Sequence, residues 1–357
     1  MGRDDPPVHR LTIVLGLAST VAVTAIVAAP TPVGAHGVAG VTPTNYETRV
    51  NASRPEAEGI EVRSIDLGER LELRNRTNHD VLVLGYEEEP YLRVGPDGVF
   101  ENRASPSWQA NRTRDGEVPD GEVPDGDTGG DREPRWVRVG SGDTVSWHDH
   151  RSHWMGIVDP PSVRENSGRE QRVLSFEIQL ESDGDRIVVP GEVVWVPPPS
   201  PWPWLVGALG LAVGVALLSR VRPWPLILTL ALVVLVGFAV AHVVGGWGAT
   251  TSATSTRLAA SVYSIAGIAV GVGALVWLAR ARDPYDATPS VLVSALFLAV
   301  AGGLADLTVL TRSQVPTTLP PTLVRVGVMV ALGVGAGLAV GAGLRIRRPA
   351  PPSVVGR

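Results

Sequence analysis

The sequence predicts a chain in two halves: an all-β sandwich domain followed by an all-α membrane bundle of five transmembrane helices. Three observations predict it. From Trp202 onward the chain is built of apolar runs of about twenty residues, the length an α-helix needs to cross a hydrocarbon core of roughly 30 Å. Between His36 and Ser200, apolar residues come in short alternating segments broken by Gly, Asn and Asp, the pattern of antiparallel strands. The charge divides at the same place. Residues 36–200 carry 18 Arg and 31 Asp/Glu, net −13, and residues 201–357 carry 11 Arg and 3 acids, net +8; a neutral leader brings the whole to −5.

Residues 1–35 read as a secretory signal peptide: Arg3 and Arg10 precede the apolar run Leu11 to Ala29, and Val33-Gly34-Ala35 offers the small residues a signal peptidase needs. Cleavage there makes His36 the first mature residue; cleavage after Ala39 or an uncleaved anchor are the alternatives. In the exported domain, 36–200, eight strands are expected at 60–65, 71–74, 81–86, 136–139, 144–147, 173–180, 187–189 and 193–196, with no amphipathic helix of useful length. An insertion at about 112–133 contains the tandem DGEVPDGEVPDGD, which has almost nothing apolar to bury and is expected to be a disordered, solvated loop rather than a calcium site. The connector Val196-Pro197-Pro198-Pro199-Ser200-Pro201 is stiff and holds the domain close to the bilayer.

The five spans, within 201–345, are expected at about 202–219, 224–244, 258–279, 290–310 and 322–344, with 346–357 as a cytoplasmic tail. Trp202, Trp204, Trp224, Trp247 and Trp277 stand near span ends, where indoles favour the interface. Basic residues resist translocation, and Arg220, Arg222, Arg280, Arg282 and the Arg-rich tail fall on one side while Arg257 and Arg312 fall on the other. The expected location is therefore a multi-pass cell-membrane protein with its N-terminal domain outside.

Composition narrows the chemistry. A net charge of −13 on the exported domain repels phosphates, so nucleic acid is not an expected partner; membrane lipid and a cation are. With no Cys, neither disulfides nor thiolate metal sites are available. All 31 basic residues are Arg, a bias suited to a GC-rich prokaryotic genome. Nucleophile elbow, zinc-protease helix and phosphate loop are all missing, so no enzyme activity is expected.

The stretch WHDHRSHWMG, Trp147 to Gly156, holds three of the seven histidines. Alternation buries Val145 and Trp147, and an extended strand would set His148 and His150 about 7 Å apart on the other face. His153 arrives from the following turn, and Asp149 or Met155 can supplement the imidazoles. Imidazole with carboxylate suits Cu(II), Zn or Ni, and a thioether favours Cu(I). The alternatives are a polar knot, with the imidazoles bonded to one another and to Arg151 and Trp154 in the core, or a pH switch. His79, in Asn78-His79-Asp80, reads as a surface turn residue.

Gly142-Asp143-Thr144-Val145-Ser146-Trp147, with His153 six residues after the Trp, resembles the strand and first histidine ligand of cupredoxins over about fifteen residues. The absent Cys excludes their blue-copper electron-transfer centre. A mature N-terminal His36 is similar to exported copper-binding proteins of the CopC type, β-sandwiches whose terminal histidine binds Cu(II) through amine and ring. That resemblance implies an Asp-x-His pair, which this sequence lacks, His148-Asp149-His150 being a loose substitute, and pairing or fusion with a multi-span partner of the CopD type, which has more spans than five. Together these imply a cupredoxin-like or Ig-like sandwich and a membrane-anchored copper-sequestering or copper-delivering protein, with zinc as the second metal. The competing readings are an Ig-like envelope or interaction module without metal, and a copper monooxygenase with a terminal-histidine brace. Neither the metal nor any protein partner is fixed by the sequence.

Inside the spans, His242 and Asp306 are the titratable side chains that stand out, a possible polar site near the outer surface. No internal repeat suggests a transporter, and the glycines from Gly333 to Gly343 suggest close helix packing.

Overall fold

The computed structural model describes residues 41–112, 133–251 and 253–346. The leader, His36, residues 113–132 of the acidic insertion and the tail beyond Ile346 lie outside the described residues.

Among the described residues, ten antiparallel strands form two sheets. In chain order they are β1 (Tyr46–Val50), β2 (Ile60–Ile65), β3 (Arg70–Asn75), β4 (Val81–Leu84), β5 (Pro90–Gly95), β6 (Gly98–Asn102), β7 (Trp136–Gly140), β8 (Thr144–His148), β9 (Gln171–Ser182) and β10 (Asp185–Trp195), with one-turn helices α1 (Pro106–Ala110) and α2 (Pro161–Glu165) between them. The large sheet has the order β1-β10-β9-β4-β5-β6-β7, and the small one β2-β3-β8. Alternation sends Leu71 and Leu73 from β3 and Val145 and Trp147 from β8 inward, where they meet Val83, Ile178, Leu180 and Val193 of the large sheet.

Three strands escape the alternation pattern: β1 is half-buried along its whole length, and β5 and β6 mix both-face burial with Pro90 and Gly98. The two segments expected at 187–189 and 193–196 are one strand, because β10 continues through Pro190 and Gly191 and absorbs the irregularity in a bulge at Val193/Val194. The β9–β10 turn is tight, with positive φ at both Asp183 and Gly184. Glu89, the last of the acidic run Glu87-Glu88-Glu89, is buried. Burial pushes its carboxyl up, but hydrogen bonds from Ser105 and Ser107 outweigh this and hold it below the usual range.

Between β2 and β3 the chain turns through Asp66, Leu67 and Gly68, all at positive φ (52°, 58° and 92°). Non-glycine residues rarely adopt this region, so the neighbours must impose it. Thr48 Oγ1 donates to the Ser152 carbonyl, and the Ser152 hydroxyl donates to the Gly68 carbonyl at 2.8 Å. A Cβ on Gly68 would stand 2.1 Å from Thr48 Oγ1 and 2.9 Å from its Cβ. Gly68→Ala is therefore expected to lower stability by about 1–3 kcal/mol. Gly142→Ala, whose nearest neighbour atom is 4.0 Å away, should change it by less than about 0.5 kcal/mol. Thermal unfolding of the two variants checks the contrast.

The second half contains α3 (Trp202–Leu218), α4 (Trp224–Gly248), α5 (Thr254–Arg280), α6 (Thr288–Ala299) and α7 (Pro321–Ile346). Among the described residues, four helical stretches are long and apolar enough to cross a membrane: Trp224–Gly248, Thr254–Arg280, Pro284–Leu304 and Pro321–Ile346. The first expected span falls short of that length. It forms a 17-residue apolar helix, about 25 Å long at 1.5 Å per residue. The fourth runs from Pro284, with α6 passing into a π-helical turn at Val300–Leu304, and stops before Asp306 instead of reaching 310.

Small residues set the packing in this half. Cβ atoms on Gly333 and Gly337 would lie 2.5 and 2.7 Å from the Ala208 and Ala212 carbonyl oxygens of α3, and one on Gly335 would lie 2.7 Å from Ala299 Cβ of α6. One face of α7 thus seats α3 at backbone contact while the other seats α6.

The halves touch directly. Thr44 and Gln314, the latter between α6 and α7, exchange backbone hydrogen bonds of 3.1 and 2.9 Å; Ser313 N donates to Asn45 Oδ1 at 2.9 Å. Thr251, between α4 and α5, donates its hydroxyl to Asp66 Oδ2 at 3.1 Å.

Candidate metal centre

Strand β8 ends at His148, and the chain turns sharply over Asp149–Ser152. The turn is built on Asp149. Its carbonyl accepts from Ser152 N (3.0 Å) and Ser152 Oγ (2.8 Å), and its wholly buried carboxylate takes Trp147 Nε1 at 3.0 Å, Arg151 N at 3.0 Å, Arg151 Nε at 2.9 Å and Arg151 Nη2 at 2.8 Å. Burial pushes this carboxyl upward, yet the Arg151 guanidinium and the Trp147 indole hold it below the usual carboxylate range. Its oxygens are occupied in shaping the loop.

The consequence is a triangle of imidazoles. Ring centroids are 5.7 Å apart for His148 and His150, 5.1 Å for His148 and His153, and 6.0 Å for His150 and His153. His150 belongs to the turn and not to an extended strand, which is why it stands closer to His148 than about 7 Å. A nitrogen about 2.0–2.1 Å from an ion puts each ring centroid roughly 3 Å out, so two rings at a tetrahedral angle stand roughly 5 Å apart. The triangle has that scale. Among the described residues, no group of three or more His, Asp or Glu side chains is placed so that it could hold a metal ion as it stands.

One tautomer follows from the geometry. His153, 7 % exposed, has Nδ1 at 3.1 Å from the Asp149 carbonyl oxygen. A carbonyl can only accept, so the neutral ring carries its hydrogen on Nδ1 and presents the lone pair at Nε2. An imidazole oriented through its other nitrogen by a backbone carbonyl is the usual support of a metal-ligating histidine.

His150 is placed by its backbone N–H, which donates to Tyr86 Oη at 3.1 Å; that hydroxyl donates to Asn111, and Arg151 lies 4.7 Å over the Tyr86 ring. Burial, and after it the charge of Asp149, pushes the Tyr86 hydroxyl far above its ordinary value. Tyr86, Asn111 and Arg151 thus frame the cluster. Tyr86 and Asn111 lie tens of positions away and nothing in the sequence links them to it.

Met155 is 42 % exposed in the loop that follows, and Trp154, which the polar-knot alternative would put in the core, is half-buried against Tyr46. His79 is half-exposed and pairs with Asp183 at 3.1 Å, as suits a turn residue.

In the helical half, His242 of α4 and Asp306, just past the π turn, meet at 3.2 Å (Nε2 to Oδ2) with little exposure. His242 also borders a cavity of about 30 Å³ with Phe238, Ser264 and Gly302. The two residues singled out in the sequence are thus one pair.

No family model matches the chain, and no curated protein or solved structure matches it.

Proposed function

We propose that this chain is a membrane-anchored extracytoplasmic metal-binding protein that sequesters or delivers copper, with His148, His150 and His153 as its ligands. The carrying observation is the ring triangle of 5.1, 5.7 and 6.0 Å. His153 adds a ring locked in the donor tautomer. An all-imidazole set on an acidic domain suits Cu(II) above Zn(II) in affinity, and the exposed thioether of Met155 is close in sequence for Cu(I). In this reading the leader is removed, and His36, with its free amine and ring, completes the set. All five apolar helices then span, the 17-residue α3 being held in the bundle by Gly333 and Gly337 of α7. The loop arginines, Arg220, Arg222, Arg280 and Arg282 on one side against Arg257 and Arg312 on the other, support a β domain on the outer side.

The test uses the full chain in detergent, its N-terminus verified by mass spectrometry. One equivalent of Cu(II) is expected to bind with nitrogen hyperfine structure in its electron paramagnetic resonance spectrum and to resist displacement by Zn(II). His148→Ala/His150→Ala should weaken binding by roughly a hundredfold or more, because losing even an outer-shell partner costs about 10–100-fold. If the double variant binds as well as the parent, the proposal fails. The chain is then better read as an Ig-like module for envelope structure or protein contact, which the absence of a closed ligand set among the described residues favours.

A further inference from the structure

Just after the histidine turn the chain exposes Met155 (42 %), Ile157 (105 %) and Val158 (62 %) in succession. An isolated apolar residue on a surface means little, but three in four positions on one ordered tip call for a covering. The tip is ordered by its own contacts: the Trp154 indole N–H donates to the Val158 carbonyl at 3.2 Å and closes the loop. Tyr46 donates its hydroxyl to Asp159 at 2.6 Å and stacks on Trp154 with centroids 6.0 Å apart.

What lies beside the tip identifies the covering. Tyr46 is two residues from Thr44, which is hydrogen-bonded to Gln314 in the connection between α6 and α7. On its other side Tyr46 packs edge-on against Trp195 at 5.3 Å, and from Trp195 the chain needs only Val196–Pro201 to reach the exposed Trp202 at the start of α3. The loop therefore sits at the helix-facing end of the β domain, next to three indole or phenol rings of the kind that populate a membrane–water boundary.

We infer that residues 155–158 insert as an apolar tip into the lipid leaflet that surrounds the near ends of the helices, making a second, non-helical attachment of the β domain to the bilayer. This does not depend on metal binding. Its occupant is lipid, because the tip is continuous with the face through which the domain already meets the helices, and Ile157 and Val158 carry no charge to be desolvated.

A chain without cysteine makes the test direct. Ile157→Cys and, at the opposite end of the sandwich beside the β9–β10 turn, Asp185→Cys are each spin-labelled on the full chain in phosphatidylcholine vesicles. Both sites are exposed, so labelling should leave the fold intact. Collision rates with oxygen, which partitions into lipid, are compared with those of a water-soluble paramagnetic chelate. The expected ratio of oxygen to chelate accessibility is several-fold higher at 157 than at 185. Equal ratios would overturn the inference and leave the tip in water. A 157 label shielded from both agents would also overturn it, since a protein surface would then cover the loop.

Discussion

Asp149→Ala is expected to destabilise the β domain by about 3–5 kcal/mol, since removing one partner leaves the largely buried Arg151 guanidinium uncompensated. The variant should also lose a specific pH dependence. In the folded chain this carboxyl titrates below its usual value, so its contribution is present above the unfolded aspartate value of about 3.9. That contribution drains away as pH falls through the folded value. Near-ultraviolet circular dichroism on thermal unfolding should show the parent losing stability below about pH 4, with the variant flatter there. His153 bonds the backbone carbonyl of Asp149 and not its carboxylate, so folded variant molecules keep that ring's orientation. A loss under 1 kcal/mol with an unchanged pH profile would refute the assigned role.

Trp147→Ala is the second large effect, again about 3–5 kcal/mol, because the buried indole packs into the core from the small sheet's edge strand beside Leu71. Trp147→Phe separates its two contributions. It keeps a buried aromatic ring but deletes the N–H donated to Asp149 along with part of the fused ring, for an expected loss of about 1.5–3 kcal/mol. In the Asp149→Ala background, where no carboxylate is left short of a donor, the Phe substitution should cost distinctly less, and a double-mutant cycle reads the difference. Additive losses would mean the indole hydrogen bond contributes nothing.

The boundary between β and helical halves was legible because it is a composition change, and the inward residues of β3, β4, β8 and β9 because period-two alternation leaves little freedom once one face is buried. Strands β1, β5 and β6 were not, since their burial comes from neighbours on both faces or from distant chain and leaves no alternation to read. The histidines drew notice by density in sequence. Their convergence depends on strand β8 stopping at His148, and that stop is produced by Asp149 turning inward to bond Trp147 and Arg151. Nothing local distinguishes such an aspartate from a solvated or ligating one. The His242–Asp306 pair was visible as two costly residues at similar depth, whereas the π turn that carries Asp306 to the end of its helix was not.

The left-handed turn Asp66–Gly68 touches both worlds at once: through Gly68 it bonds the serine preceding His153, and through Asp66 it bonds Thr251 between two helices. A domain on a proline tether alone would sway like a buoy. Clasped at this second point and again at Thr44–Gln314, it is held to the helix connections by hydrogen bonds as well as by the tether, and the turn that carries its imidazoles shares one of those clasps.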